Sequence, residues 1–134
     1  MTPDERIREL NLILPEPIKL PPNVEMQFSW VRISGNRAFI SGHIALNADG
    51  SVSDVVGKVG GEVTVEEGYE SARQTGLAIL SSLKRELGTL NSISAWLRVF
   101  GMVNVASGFV QTPSVINGFS DLILDVFGKE IGDH

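Results

Sequence analysis

Ile93-Ser94-Ala95-Trp96-Leu97-Arg98-Val99-Phe100-Gly101-Met102-Val103-Asn104-Val105 is the stretch on which the fold turns. Read as one long strand, it puts Ile93, Ala95, Leu97, Val99, Val103 and Val105 on one face. The opposite face offers Trp96, Phe100 and Met102 among Ser94, Arg98 and Asn104. Both faces are largely apolar, so both need cover. Only two long helices are legible elsewhere, and they most simply share one face. The other face then calls for a neighbouring copy, which makes a homo-oligomer the expectation.

The two helices flank this stretch. Thr64-Val65-Glu66-Glu67 is a capping box that opens a helix running to Leu87, with Gly88 as its stop. Val65, Tyr69, Ala72, Gly76, Ile79, Leu80, Leu83 and Leu87 form its apolar stripe, kept low by Ala72 and Gly76 so that the helix can lie close on a sheet. Glu66, Glu67 and Glu70 are explained by the favourable field at a helix start rather than by acid–base chemistry. After the strand, Thr112 reads as an N-cap with Pro113 at the first helical position. Val115, Ile116, Phe119, Leu122, Ile123, Val126 and Phe127 make the core face, Asn117 projects away from it, and Gly128 ends the helix.

Upstream, Thr2-Pro3-Asp4-Glu5 starts a short helix, and Pro15, Pro17, Pro21 and Pro22 turn residues up to about 22 into an extended arm. Val24, Met26, Phe28 and Trp30 alternate with polar residues in a strand from Val24 to Ile33, Ser34-Gly35-Asn36 reads as a hairpin turn, and Ala38 to Leu46 returns as a second strand. A glycine-rich connector with Gly57, Gly60 and Gly61 follows. Its Gly57-Lys58 lacks the spacing and the hydroxyl residue of a phosphate loop, so it reads as a turn. No internal repeat or second domain is visible across residues 1–134.

Composition narrows the function. The 134 residues are 43% hydrophobic and 20% charged, the balance of a soluble globular domain. A net charge of −5 disfavours nucleic acid as a partner. There is no cysteine, so disulfides, thiolate nucleophiles and cysteine metal sites are excluded. The charged N-terminus does not read as a signal peptide, and no apolar run approaches the ~20 residues that span a bilayer, so a cytoplasmic setting is expected and a membrane is not.

Chemistry concentrates at Ser41-Gly42-His43, a small polar interruption in an apolar strand. Gly42 exposes backbone groups, Ser41 adds a hydroxyl, and Phe28 or Trp30 on the paired strand supplies an apolar wall. Ser41 and His43 share a face, yet no third orienting acid follows from spacing, and a structural histidine with a satisfied nitrogen is the better reading. His43 and His134 have no metal-ligand spacing. The residues support a small-molecule cleft completed by another subunit.

The order of elements, the Ser41-Gly42 step, the connector Gly57-Lys58-Val59-Gly60 and the helix start Gln111-Thr112-Pro113-Ser114-Val115-Ile116-Asn117-Gly118 resemble the YjgF/RidA family from about Phe28 onward. The resemblance implies an α+β, chorismate-mutase-like fold: a single sheet with two long helices on one face, three subunits packing their other faces into a barrel-like trimer. It also implies cofactor-free hydrolysis of 2-imino or enamino acids to keto acids and ammonia, in clefts between subunits. Carried over by position, the substrate-binding set is Phe28, Ser41, Gly42, His43 and Asn117. Phe28 stands where active deaminases usually have a tyrosine, and His43 where glutamine is common. Family members continue past residues like Gly132-Asp133-His134 into an Ala-Arg-Ser segment and a last strand, whose arginine clamps the substrate carboxylate and whose later glutamate helps to position water. The sequence ends before both, so a shortened or incomplete chain is expected, and nothing in it places Arg73 or Arg98 in the cleft. No catalytic residue is assigned. A non-enzymatic metabolite-binding or regulatory trimer is the alternative, and an RNA-directed role like that described for some relatives ranks behind both.

Overall fold

A computed structural model describes residues 1–134. In chain order it holds α1 (Pro3–Glu9), β1 (Val31–Ser34), β2 (Arg37–Ile40), α2 (Val65–Leu87) and α3 (Thr112–Gly132). Both predicted capping boxes form. Thr2 accepts from the Glu5 N–H while Glu5 reaches back to Thr2, and Thr64 and Glu67 repeat the exchange. Gly88 ends α2 at a φ of 80°, where only glycine sits without strain.

The second long helix starts differently from the expectation. Gln111, not Thr112, is the N-cap, and it makes no side-chain capping bond; Thr112 and Pro113 already lie inside α3. Gly128, with a φ of 74° and ψ of 167°, breaks the helix as expected, but one further turn follows it to Gly132.

The core lies between α2 and α3 with α1 across one end. Leu80 and Ile123 are fully buried there, joined by Leu90, Phe119, Leu122 and Val126. Gly76 and Gly118 make the close approach possible. A Cβ on Gly76 would meet the Leu122 side chain at 2.7 Å, and one on Gly118 would overlap the Tyr69 carbonyl. The low stripe on α2 therefore receives α3, where a sheet was expected. α1 is tied down by Asp4, which accepts from the Thr89 hydroxyl at 2.6 Å and the Leu90 N–H at 3.3 Å.

The sheet is smaller than the sequence reading. β1 and β2 form a two-stranded antiparallel hairpin in which Val31 opposes Ile40, turned at Gly35 with a φ of 60°. Residues 24–30 are irregular, and beyond Ile40 only isolated bridges occur, Leu46 with Val52 and Val59 with both Val63 and Val105. The long strand expected over Ile93–Val105 does not form as a ladder. The segment runs over the helices with Trp96 N–H donating to the Ile131 carbonyl at 2.7 Å.

Without a ladder to impose the two-residue pleat, the side chains of this segment follow a wider spacing. Ile93, Trp96, Val99 and Val103 turn toward the body, while Ala95, Leu97, Phe100 and Met102 are exposed. Two expectations change as a result. Trp96, assigned to the uncovered face, packs edge-on against Phe119 and Phe127 at ring distances of 5.9 and 5.6 Å. Leu97, assigned to the covered face, is 71% exposed. Phe100 and Met102, at 75% and 86%, are uncovered as expected. No helix is long and apolar enough to cross a membrane.

Candidate functional site

The shortened sheet leaves a space. Where β2 ends, the chain continues as Ser41-Gly42-His43-Ile44 without a partner strand, and the Trp96–Asn104 segment runs opposite. Between them, over α2 and the start of α3, opens a cavity of about 670 Å³. Its walls are mostly apolar and include Ile79, Val99, Phe100, Ile116 and Phe119. No lysine, arginine, aspartate or glutamate lines it.

The predicted site residues separate into three groups. Ser41, Gly42 and His43 all line the cavity. Phe28 does not; it meets Trp30 edge-on at 5.0 Å, and Trp30 in turn meets the His43 ring at 5.0 Å. The aromatic wall expected from Phe28 or Trp30 therefore stands behind His43. Asn117 is exposed on α3 and is not among the lining residues, although its neighbours Val115 and Ile116 are.

Gly42 has open space where a Cβ would stand, so its backbone is accessible from the cavity. Most polar side chains of the wall are engaged, the Ser71 hydroxyl excepted. Ser41 Oγ donates to the Ser29 carbonyl at 2.8 Å, away from His43. Thr75 donates to the Ser71 carbonyl and Asn104 Nδ2 to the Gly57 carbonyl. Among buried side-chain polar atoms, Trp96 Nε1–H alone has no partner.

His43 is held at both nitrogens. Nδ1 lies 2.7 Å from the Ser41 carbonyl and Nε2 lies 2.8 Å from Ser82 Oγ. A carbonyl only accepts, which makes Nδ1 the protonated nitrogen and Nε2 the acceptor of the Ser82 hydroxyl. Burial pushes the imidazole below its ordinary range; the Ser41 carbonyl pulls the other way, and the charge of Arg85 adds to the lowering. Both ring nitrogens are thus engaged within the protomer, one more than the single satisfied nitrogen expected from the sequence.

Arg85 is the residue that sequence reasoning missed. Its Nη2 donates to Ser82 Oγ at 3.3 Å, and its Nη1 donates to Ser81 Oγ at 2.7 Å and to the Pro15 carbonyl at 3.5 Å. Ser81 Oγ itself donates to the Pro15 carbonyl at 2.5 Å. One guanidinium thus orients two adjacent hydroxyls, one fixing the proline arm and the other His43. The available signal was Ser81-Ser82 inside the apolar run of α2, a polar pair at buried positions that needs partners.

The Gly57-Lys58 connector is a turn, as its spacing implied. The Lys58 N–H that a phosphate would need donates to the Glu62 carboxylate at 2.9 Å, and the Glu62 side chain fills the space beside Gly57. Glu67 is engaged in its capping box and Glu70 lies 3.6 Å from Arg73, so neither is free in the cavity. No group of three or more His, Asp or Glu side chains is placed to hold a metal ion.

A family model described as "YjgF/chorismate mutase-like, putative endoribonuclease" matches residues 11–134. A crystal structure described as a putative endoribonuclease from Shewanella oneidensis is similar at a TM-score of 0.86 and 32% identity, covering 100% of this chain and 84% of that one. The protein Atu1372 of unknown function from Agrobacterium tumefaciens is similar at a TM-score of 0.83 and 31% identity, covering 99% and 76%. Protein TCP17 of Trypanosoma cruzi is 34% identical over 119 residues, 87% of this chain and 73% of that protein. The chain belongs to the YjgF/chorismate-mutase-like family.

Proposed function

We propose that this YjgF-family chain binds a small keto- or imino-acid-like molecule in the cavity beside Ser41-Gly42-His43, which neighbouring subunits of a homotrimer complete. The observation that carries the proposal is the cavity itself: about 670 Å³, mostly apolar, and provided with an open backbone step at Gly42. That volume is in the range of small-molecule sites. Phe100 and Met102 line it yet remain largely exposed, which supports a second copy as the missing wall. The absence of cysteine supports a cytoplasmic setting.

Binding without turnover is the reading that the side chains favour. Imine hydrolysis needs a cation to fix the carboxylate and an acid or held water at the reacting carbon. The cavity wall of one protomer has no charged side chain, and the hydroxyl of Ser41 and both nitrogens of His43 are already engaged. Hydrolysis of 2-imino acids is the second reading, supported by the family resemblance and the retained Ser41-Gly42 step; it requires the neighbouring copy to supply the charge. The endoribonuclease named for the family and for the Shewanella protein is disfavoured for this chain by its net charge of −5.

One experiment separates the readings. An amino-acid oxidase generates a 2-imino acid, semicarbazide traps it, and the trapped product is followed with and without the protein. The binding reading expects unchanged trapping together with a rise in melting temperature in the presence of a 2-keto acid. Faster loss of the imine moves the assignment to the deaminase, and no effect in either assay removes the small-molecule reading.

A further inference from the structure

A second pocket, of about 410 Å³, lies on the other side of the His43–Ser82 contact and shares no residue with the first. It is formed by Ser29 to Ile33 on one side and by Ser82, Arg85 and Glu86 of α2 on the other. We propose that this pocket is a carboxylate-binding site in which the free edge of the Arg85 guanidinium grips the ligand.

The guanidinium is held on one side and open to solvent on the other. Of its five N–H groups, Nη1 gives both of its own to Ser81 and Pro15, and Nη2 gives one to Ser82. The Nε–H and one Nη2–H have no acceptor. Three oxygens thus fix the plane of a fork that matches a carboxylate. Arg85 is in no salt bridge, so its charge is not neutralised by a carboxylate of the chain. Glu86 is the one carboxylate on the pocket wall.

The backbone adds donors. β1 pairs only with β2, so its other edge is open. Ser41 N–H donates to the Trp30 carbonyl, which by antiparallel alternation turns the N–H groups of Val31 and Ile33 toward that open edge. The site stands apart from the cavity beside Gly42 and holds whether or not that cavity binds anything.

Pyruvate titrated into isotopically labelled protein, with methyl pyruvate as the uncharged control, tests the proposal by nuclear magnetic resonance. Saturable shifts are expected at the Arg85 Nε–H and the Val31 and Ile33 amides with pyruvate alone. Arg85→Gln should weaken binding at least about tenfold, the loss of one charge-assisted fork. Arg85 also ties the proline arm, so Glu86→Gln serves as an independent variant that spares those bonds and should tighten binding a few-fold. Binding unchanged in both variants, or equal shifts with methyl pyruvate, overturns the site. Shifts confined to Gly42, Val99 and Phe119 also overturn it while upholding the separate cavity, and inorganic phosphate binding more tightly than pyruvate overturns the preference for a carboxylate.

Discussion

His43 Nε2 lies 2.8 Å from Ser82 Oγ, joining the chain beyond β2 to the C-terminal part of α2 through one hydroxyl. Arg85 donates to that same hydroxyl from the next turn, so the imidazole is an acceptor facing a cation one bond away. The contact divides an apolar cavity from a polar pocket.

Protonating His43 turns its Nε2 from acceptor to donor and brings a second positive charge toward Arg85. The folded state holds this imidazole below 6.5, chiefly through burial, so the unfolded chain binds the proton more readily. The stabilisation is complete above 6.5 and is lost as pH falls from there through the depressed folded value. Thermal melts across that window should show a falling midpoint, and His43→Gln should remove this part of the slope. Identical slopes would mean that the ring is not coupled to folding.

Gly118 sits against the Tyr69 backbone, where an added Cβ overlaps the carbonyl. Gly118→Ala should cost about 3 kcal/mol or more in urea unfolding, since backbone cannot yield as a side chain does. Gly76→Ala meets the end of the Leu122 side chain at 2.7 Å and gains ~1 kcal/mol of helix propensity, so its net loss should be smaller. The reverse ranking would place the tight helix contact elsewhere.

Thr64→Ala removes the acceptor for the Glu67 N–H at the start of α2 and should cost about 1 kcal/mol. Thr112→Ala should cost less, because Thr112 lies inside α3 and caps nothing. Equal losses measured by chemical denaturation would contradict this assignment of the α3 start.

Phe100 and Met102 are the exposed apolar side chains most directly placed on the proposed subunit contact. Sedimentation of the wild-type chain should give a trimer, and Phe100→Glu combined with Met102→Glu should give a monomer with α2 and α3 intact by circular dichroism. A wild-type monomer would remove the shared-wall proposal.

The helices were legible because their determinants are local. Thr64, Glu67 and Gly88 act within a turn of their own backbone, and the stripes on α2 and α3 follow from a fixed period that no distant partner needs to set. Ser41, Gly42 and His43 were legible for a related reason: small polar residues within an apolar run need an explanation wherever the run ends up. Sequence alone also removed thiol chemistry and weighed against a nucleic-acid partner, because cysteine content and charge do not depend on folding.

Tertiary structure decided what depends on pairing. Whether Ile93–Val105 alternates or turns every third or fourth residue inward depends on a partner backbone far away in sequence, and without that ladder Trp96 and Leu97 exchange faces. Arg85 became a candidate ligand group for the same reason. Its neighbours in the sequence are only Ser81 and Ser82, while Pro15, His43 and the open edge of β1 reach it through packing. A capping box is complete in four residues, but a strand's faces and an arginine's partners are set by what the rest of the chain brings alongside.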